Sequence, residues 1–373
     1  MDRQLSDLLE RILDPSWLSE HAGRDVRAAR VRIKPSTSLG IALADGASGR
    51  SIGWMRVLWP VNHGKAEAAV RDAARHGQTV EVRDLGEGLL SVTGPVMADP
   101  KLWRHLRDAT RAGLLGGWAS EDLLRYNPLR RVVIRDADRV VRVVAGGSRD
   151  DHEIQDLVAG IVPCPERLDD GSVPGCSVHH FTGEGDLEGF PSAMGAEAAG
   201  ELVARLHAAP LPSGPMRGLL DRRNSDPVRQ AHRHAALLDH VAPELAVPVR
   251  EAAARLTLGD PTTPVLCHGD LSPDQVLTVA DGSRVWLTDF DRAQSGAPSQ
   301  DLGSFIAEAS PELAEAFMAG YAAAGGAVPE REELALHVAA SRMHRLMDPL
   351  RRACPDWRIQ VGERLALLEG TLP

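Results

Sequence analysis

Within "VLCHGDLSPDQVLTV", residues 265 to 279, His268, Asp270 and Gln275 have the types and spacing for phosphoryl-transfer chemistry. They form H-x-D-x-x-x-x-Q, and Asp289 follows fourteen residues after Gln275 at the end of the apolar run "VWLTDFD". A carboxylate placed like Asp270 accepts the proton of an attacking hydroxyl. An amide five residues on holds a divalent cation, and a second carboxylate holds that cation against phosphate oxygens. Carboxylate and amide oxygens are hard donors of the kind magnesium accepts. Any one of these residues alone would read as part of a solvated hairpin; the joint pattern points to a site.

The flanking residues show which elements must position them. Val265-Leu266 and Val276-Leu277-Thr278-Val279 are apolar runs closed by turn residues, so the polar loop is carried between strands. Asp270 then starts a tight loop, Gln275 starts the next strand, and an adjacent antiparallel strand brings Asp289 back to the same end. Upstream, "MDRQLSDLLERILDP" places Leu5, Leu8, Leu9, Ile12 and Leu13 at helical spacing, an amphipathic helix and not a signal peptide. "VRAARVRIKPSTSLGIALADGASGRSIGWMRVLWP" alternates apolar and polar residues around turn signals and reads as an antiparallel meander. A comparable pattern returns in "EDLLRYNPLRRVVIRDADRVVRVV", with Pro128 in the place of Pro35, which suggests a duplicated strand-turn-strand element.

From "GAEAAGELVARLHAAPLP" onward the chain reads as mostly helical, with Ala198, Leu202 and Leu206 on one stripe. Further helices are expected at 228 to 241, 302 to 323, 330 to 347 and 356 to 369, the last with Trp357, Val361, Leu365 and Leu368 at three- and four-residue steps. Strands first and helices afterwards suggest an α+β protein of two lobes unlike in content.

Composition narrows the function. A length of 373 residues favours two modules. A net charge of −10 argues against a nucleic-acid partner, because phosphate backbones are held by clustered cations. Cys164, Cys176, Cys267 and Cys354 lie far apart, without the paired spacing of a zinc site or a disulfide framework. His232, His234 and Asp239 have near-metal spacing, but a helix scatters them around its cylinder. No apolar run approaches membrane-spanning length, so the expectation is a cytoplasmic protein without a membrane partner.

The loop also carries a resemblance. "HGDLSPDQVL" is similar to the catalytic loop of the aminoglycoside phosphotransferase and choline kinase-like family. "LTDFDRAQSGAPSQDLG" resembles its metal-binding Asp with the Asp-Leu that follows, and "ELVARLHAAPLP" resembles the helix before its acceptor region. The resemblance runs from about 122 to 350. It implies a bilobal protein kinase-like α+β fold, with a small β-rich N-lobe and a larger helical C-lobe. An extra N-terminal α/β cap segment would cover 1–120, the N-lobe and hinge 121–185, and the C-lobe 186–373. Carried over, Asp270 is the catalytic base, Gln275 and Asp289 are magnesium ligands, and Asp291 is an additional metal contact. His268 positions the loop by hydrogen bonding, and Asp301 braces it. Gln275 departs from the family's usual Asn, lengthening the stem by one methylene.

The implied nucleotide side departs further. The family has a Lys on the third strand of its small lobe, paired with a Glu on the next helix; Arg142 and Glu153 stand in those places. Arg keeps the charge, but its reach differs. Lys34 and Lys65 are alternative cations, and Arg130 and Arg131 sit where a glycine-rich turn would be. Adenine is expected against the connector near "CSVHHFTGEGDLEGF", with Phe181 at the passage between lobes; His179 and His180 equally fit core or surface roles.

Three functions fit these residues. The first is ATP- and magnesium-dependent phosphorylation of a hydroxyl on a small molecule such as an antibiotic, sugar or amino alcohol. The second changes the acceptor to Ser or Thr of a precursor peptide, with the N-terminal segment as a candidate surface for a peptide or partner protein. The third is a pseudokinase binding module. The acceptor pocket is expected from the helices around 213 to 262 and 302 to 373.

Overall fold

Leu5, Leu8, Leu9 and Ile12 form one stripe of α1 (Arg3–Leu13), and all four are buried. Asp14 then caps α2 (Pro15–Ala22) by accepting the Ser16 N–H at 2.9 Å. Pro15 costs nothing at the first helical turn, where its missing N–H has no intrahelical partner to lose. The structure, a computed structural model, describes residues 3–147, 149–223, 226–259, 261 and 263–372.

The expected meander is β1 (Val26–Lys34), β2 (Ser38–Asp45) and β3 (Ser51–Leu58). After α3 (Gly64–Ala74), β4 (Glu81–Gly86) and β5 (Leu89–Pro95) complete a first sheet of order β1-β2-β3-β5-β4. Then α4 (Trp103–Arg111) leads to β6 (Leu123–Asn127), β7 (Arg131–Asp136) and β8 (Arg139–Val144). With α5 (Arg149–Ala159) intervening, β9 (Cys176–His180) closes a second sheet of order β6-β7-β8-β9.

The two meanders share a turn. Thr37 N–H bonds Lys34 O at 3.1 Å and Arg130 N–H bonds Asn127 O at 3.0 Å. In each turn a proline is followed by a left-handed residue, Ser36 at φ 53 and Leu129 at φ 63. Proline second and positive φ third is the type II arrangement. The suspected duplication therefore has a backbone counterpart.

The chain crosses to the helical lobe through 181–184, since β10 (Gly185–Asp186) pairs with a strand there. The lobe continues with α6 (Ala193–Ala208), α7 (Gly214–Arg222), α8 (Pro227–Val241) and α9 (Pro243–Arg255). Next come β11 (Val265–Cys267), β12 (Val276–Thr278), β13 (Val285–Leu287) and β14 (Gln294–Gly296), with β10-β12-β13 in one small sheet and β11-β14 in another. The end is helical: α10 (Pro298–Glu308), α11 (Pro311–Ala323), α12 (Arg331–Arg345), α13 (Asp348–Arg351) and α14 (Trp357–Glu369). The helix expected over 302 to 323 is two helices, because Ser310 starts α11 by accepting the Leu313 N–H and Pro311 cannot continue α10. In α14 the stripe of Trp357, Val361, Leu365 and Leu368 is buried as expected.

Three apolar cores hold these elements together. One joins Leu9 of α1 and Leu39, Ile41 and Leu43 of β2 to Leu238, Met343, Trp357 and Leu368 of the C-terminal helices. The opposite face of the first sheet, with Ala42, Trp54 and Val92, packs with Val132, Ile134 and Val141 of the second. The third surrounds the polar loop and takes in Ile154 and Val158 of α5 beside Leu266, Leu271 and Leu287. Residues on both sides of the expected boundary at 120 thus share cores. The four cysteines are free, and no described helix is long and apolar enough to cross a membrane.

Candidate active site

The loop after β11 turns sharply at Gly269, whose φ is 82 and where a Cβ would lie 2.1 Å from Arg292 O. Only glycine meets both conditions. Asp301, fully buried at the start of α10, receives this loop. Its Oδ2 accepts the His268 N–H at 2.7 Å and its Oδ1 the Gly269 N–H at 2.9 Å. His207 Nε2 lies 3.1 Å from Oδ2. Burial pushes the Asp301 pKa up, but the His207 hydrogen bond and the charges of His207 and His268 outweigh it, so the net shift is downward. His207, Cys267 and Asp301 are near enough together to suggest a metal cluster. Their atoms are already engaged, His207 Nδ1 by Tyr321 Oη and Cys267 Sγ by Ala297 O.

His268 has no exposed surface. Its Nε2 bonds Thr288 O at 2.8 Å, which makes Nε2 the donor, and its Nδ1 faces the Asp270 N–H at 3.4 Å. Both ring nitrogens are thereby spent on the loop, so the geometry gives His268 a positioning part. Asp270 itself meets two arginines: Arg345 donates to Oδ1 at 3.0 Å, and Arg292 stands 3.4 Å from Oδ2.

The hairpin of β12 and β13 brings the other oxygen donors to this end. Val276 pairs with Leu287, and Thr288 N–H bonds Gln275 O at 3.1 Å, so Gln275 stands opposite Thr288 and Asp289 follows one residue on at the same end of the hairpin. Gln275 is buried. Asp289 takes the left-handed conformation at φ 62, which redirects the chain into a short turn containing Asp291.

Both carboxylates are bound to arginines of the second sheet. Arg131 donates to Asp289 at 3.0 and 3.2 Å, and Arg142, on β8, pairs with Asp291 and lies 3.7 Å from Asp289. Burial alone would raise the Asp289 pKa; the charges of Arg131 and Arg142 overcome it and drive the pKa below the ordinary range. Burial raises Asp291 further than Arg142 lowers it, with the Asp289 charge adding to the rise. Arg142 itself moves upward, because Asp291 and Asp289 more than offset its burial.

The structure therefore brings Arg142 to Asp289 and Asp291, and does not bring Glu153 to Arg142. Glu153 is exposed on α5, one helical side away from Asp151, which pairs with Arg223 at 2.6 Å. Arg223 also donates to Asp291 O at 2.8 Å, so α5 is tied to the turn containing Asp291 through Asp151. Phe181 lies in the connector with its ring under the Arg135 guanidinium at 4.0 Å. His179 is held toward Gln155, and burial pulls its pKa down to about 4; His180 is exposed. Lys34 and Lys65 are exposed on the first sheet and α3.

Sequence reasoning passed over Arg345, Arg292 and Arg223. Their partners lie 75, 22 and 68 residues away or on different elements, and no local pattern marks them. Beside Asp270 opens a pocket lined by Gln294, Gln300, Ser304, His337, Ser341 and His344. The Gln294 and Gln300 Oε1 atoms are buried there without hydrogen-bond partners.

The model of the phosphotransferase enzyme family matches residues 111–337, a span that contains the loop, the hairpin, Asp301 and both arginines of the second sheet. Similar solved structures include a choline/ethanolamine kinase family protein from Mesorhizobium loti, 21% identical over 72% of this chain and 93% of that one, with a TM-score of 0.48. An aminoglycoside-3'-phosphotransferase of type VIII is 26% identical over 62% and 97%, with a TM-score of 0.45. A choline kinase from Streptococcus pneumoniae is 14% identical over 71% and 98%, with a TM-score of 0.49. No curated protein matches the chain.

Proposed function

Because the chain belongs to the phosphotransferase enzyme family, we propose that it transfers the γ-phosphoryl group of ATP, with magnesium, to a hydroxyl of a small polar molecule. One observation supports the reading: the Gln275–Thr288 backbone bond at 3.1 Å keeps Gln275 and the residue before Asp289 paired at one end of a hairpin, the end that continues from the loop bearing Asp270. Asp270 is the proposed base and borders the pocket where an acceptor would lie.

Gln275, Asp289 and Asp291 are the proposed magnesium ligands. The donor set fits, since all three offer oxygen and Asp289 is held ionised by its arginines. Bound there, the ion would neutralise charge on the phosphates. Arg131 and Arg142 are the proposed cations for the donor's phosphates; a guanidinium has five donors and can serve a carboxylate and a phosphate together. The connector at 181–184 is the proposed edge for the base of the nucleotide.

Phosphoryl transfer depends mainly on positioning and charge stabilisation, and here each group is held by a named partner. The test is paired. Magnesium-ATP raises the melting temperature of the parent chain and of Asp270→Asn alike, while Asp270→Asn loses turnover on a panel of sugars and amino alcohols by about 100- to 10,000-fold. A parent chain with no ATP-dependent shift, or an Asp270→Asn chain that turns over at the parent's rate, removes the reading.

A further inference from the structure

The first sheet carries a second concentration of cations that the proposed reaction does not use. Arg32 on β1 pairs in register with Gly40 on β2, which pairs with Arg56 on β3. Two strand spacings separate the arginine Cα atoms by roughly 10 Å, and the strand between them contributes no side chain. A Cβ built on Gly40 meets nothing within 4 Å. The row is therefore a slot with a guanidinium on either wall.

No carboxylate among the described residues pairs with its arginines. None of Arg32, Lys34, Arg56 and Arg130 forms an ion pair or a side-chain hydrogen bond among the described residues, and Arg56 Nε is buried without a partner. The carboxylate whose charge reaches Arg56 is Asp99. Its oxygens already accept from Tyr126 Oη, Leu129 N–H, Lys101 N–H and Leu102 N–H. Burial and then the Arg56 charge lower Arg32; the Arg32 charge is the first cause lowering Lys34, and burial and then the Arg32 charge lower Arg130. Like charges at this spacing are unfavourable unless a counter-charge joins them. In a chain of net charge −10 they are not a by-product of a basic surface.

The position of the cluster repeats that of the candidate site. In both sheets a Pro turn with a left-handed third residue joins the first two strands, and the third strand carries an arginine, Arg56 on β3 and Arg142 on β8. Arg142 has Asp289 and Asp291 to answer it; Arg56 has an open slot.

We propose that the Gly40 slot of the first sheet binds a phosphate-type anion, gripped by Arg32 and Arg56 with Lys34 and Arg130 at its rim, as a site separate from that of the phosphoryl donor. An oxyanion of this class matches the planar forks of two facing guanidinium groups. Arg130 stands on the turn that leads into Arg131, so an anion held here would lie beside the turn over the candidate reaction centre.

The test is calorimetric titration of inorganic pyrophosphate into the full chain at low salt without magnesium, with melting temperatures confirming folded variants. Arg131→Gln/Arg142→Gln, which strips the cations from the lobe junction, is expected to keep pyrophosphate binding. Arg32→Gln/Arg56→Gln is expected to weaken it at least tenfold, and so is Gly40→Val, which leaves every charge in place and fills the slot with a residue strands favour. Binding of AMP-PNP with magnesium is expected to be unchanged in Arg32→Gln/Arg56→Gln. The proposal is overturned if the parent chain does not bind pyrophosphate, or if folded Gly40→Val binds it as tightly as the parent. It is equally overturned if the lobe-junction variant loses binding while folded, or if AMP-PNP affinity falls together with pyrophosphate affinity, which would make the anion the nucleotide's own tail.

Discussion

Arg345, on the last turn of α12, donates to Asp270 Oδ1 at 3.0 Å from 75 residues away. The Arg345 side chain is only 12% exposed, so it is fixed by the helix packing around it. Together with Arg292 on the other oxygen, it makes the orientation of the proposed base a property of the helical lobe as well as of its own loop.

Arg345→Ala should lower kcat by about 100-fold, the scale of a base misplaced by an ångström, with the KM for ATP nearly unchanged. Arg345→Lys should recover part of the loss, since it keeps the charge without the fork. Steady-state kinetics on both variants decides; equal activity of Arg345→Ala and the parent would show that the loop orients Asp270 unaided.

Asp99 is buried and ties the first segment to the Asn127–Arg131 turn through Tyr126 Oη and Leu129 N–H, both at 2.8 Å. Asp99→Asn keeps the shape but turns one acceptor oxygen into a donor facing N–H groups. Chemical denaturation should show a loss of about 1–3 kcal/mol, and the KM for ATP should rise more than kcat falls. An unchanged denaturation midpoint would mean that the turn holds itself.

The pH dependence follows from opposite shifts. Asp301 and Asp289 have folded pKa values below the ordinary carboxylate value of about 3.9. Each therefore contributes stability that is present above that value and is lost as pH falls through the folded pKa. Asp291, raised mainly by burial, runs the other way: ionised, it costs stability, and the cost disappears as pH falls through its folded pKa. Urea midpoints should be lower in Asp301→Asn at neutral pH, and its acid-limb decline, below about pH 4, should be shallower than the parent's. Parallel curves for the two chains would contradict the assignment of Asp301.

Ile41 is fully buried in the core that joins the first sheet to the C-terminal helices. Ile41→Ala should cost about 2–5 kcal/mol and shift a single cooperative melt. Removing residues 1–115 should leave the rest without a cooperative transition, because Leu238, Met343 and Trp357 would lose their covering face. A sharply melting truncated chain would show that the C-terminal lobes fold without it.

Gln294 is buried beside Asp270 with Oε1 unpartnered. Apart from Asp270, the pocket lining has amides, hydroxyls, imidazoles and Arg292 but no carboxylate among the described residues. Uncharged polyhydroxyl acceptors should therefore be used in preference to polycationic ones. Gln294→Met should raise the KM for the acceptor and leave that for ATP alone. Preferred turnover of a polyamine-rich acceptor by the parent would refute this view of the pocket.

The readable part of this protein is local. The apolar runs around the loop became β11 and β12, the Leu5-Leu8-Leu9-Ile12 stripe became the buried face of α1, and the Trp357-to-Leu368 stripe that of α14. Each rests on a period of two or 3.6, which neighbouring residues reveal by themselves. Pro128 after Asn127 gave the turn, and the order of strands and helices gave the α+β content. The break at Ser310-Pro311 was also written locally, as a cap followed by a helix-starting proline, and was passed over within a long apolar pattern.

The sequence alone determined which groups are available: an Asp and a Gln five residues apart, a second Asp after the next apolar run, and arginines at 130, 131 and 142. Which of these groups meet was set by the packing of distant elements. It gave Arg142 to Asp289 and Asp291 and left Glu153 in solvent, brought Arg345 to Asp270, and folded the first segment into cores shared with both lobes. The reason is physical: backbone periodicity acts over a few residues, whereas a charge is answered by whatever packing places within a few ångströms of it, and packing joins residues that the chain keeps far apart.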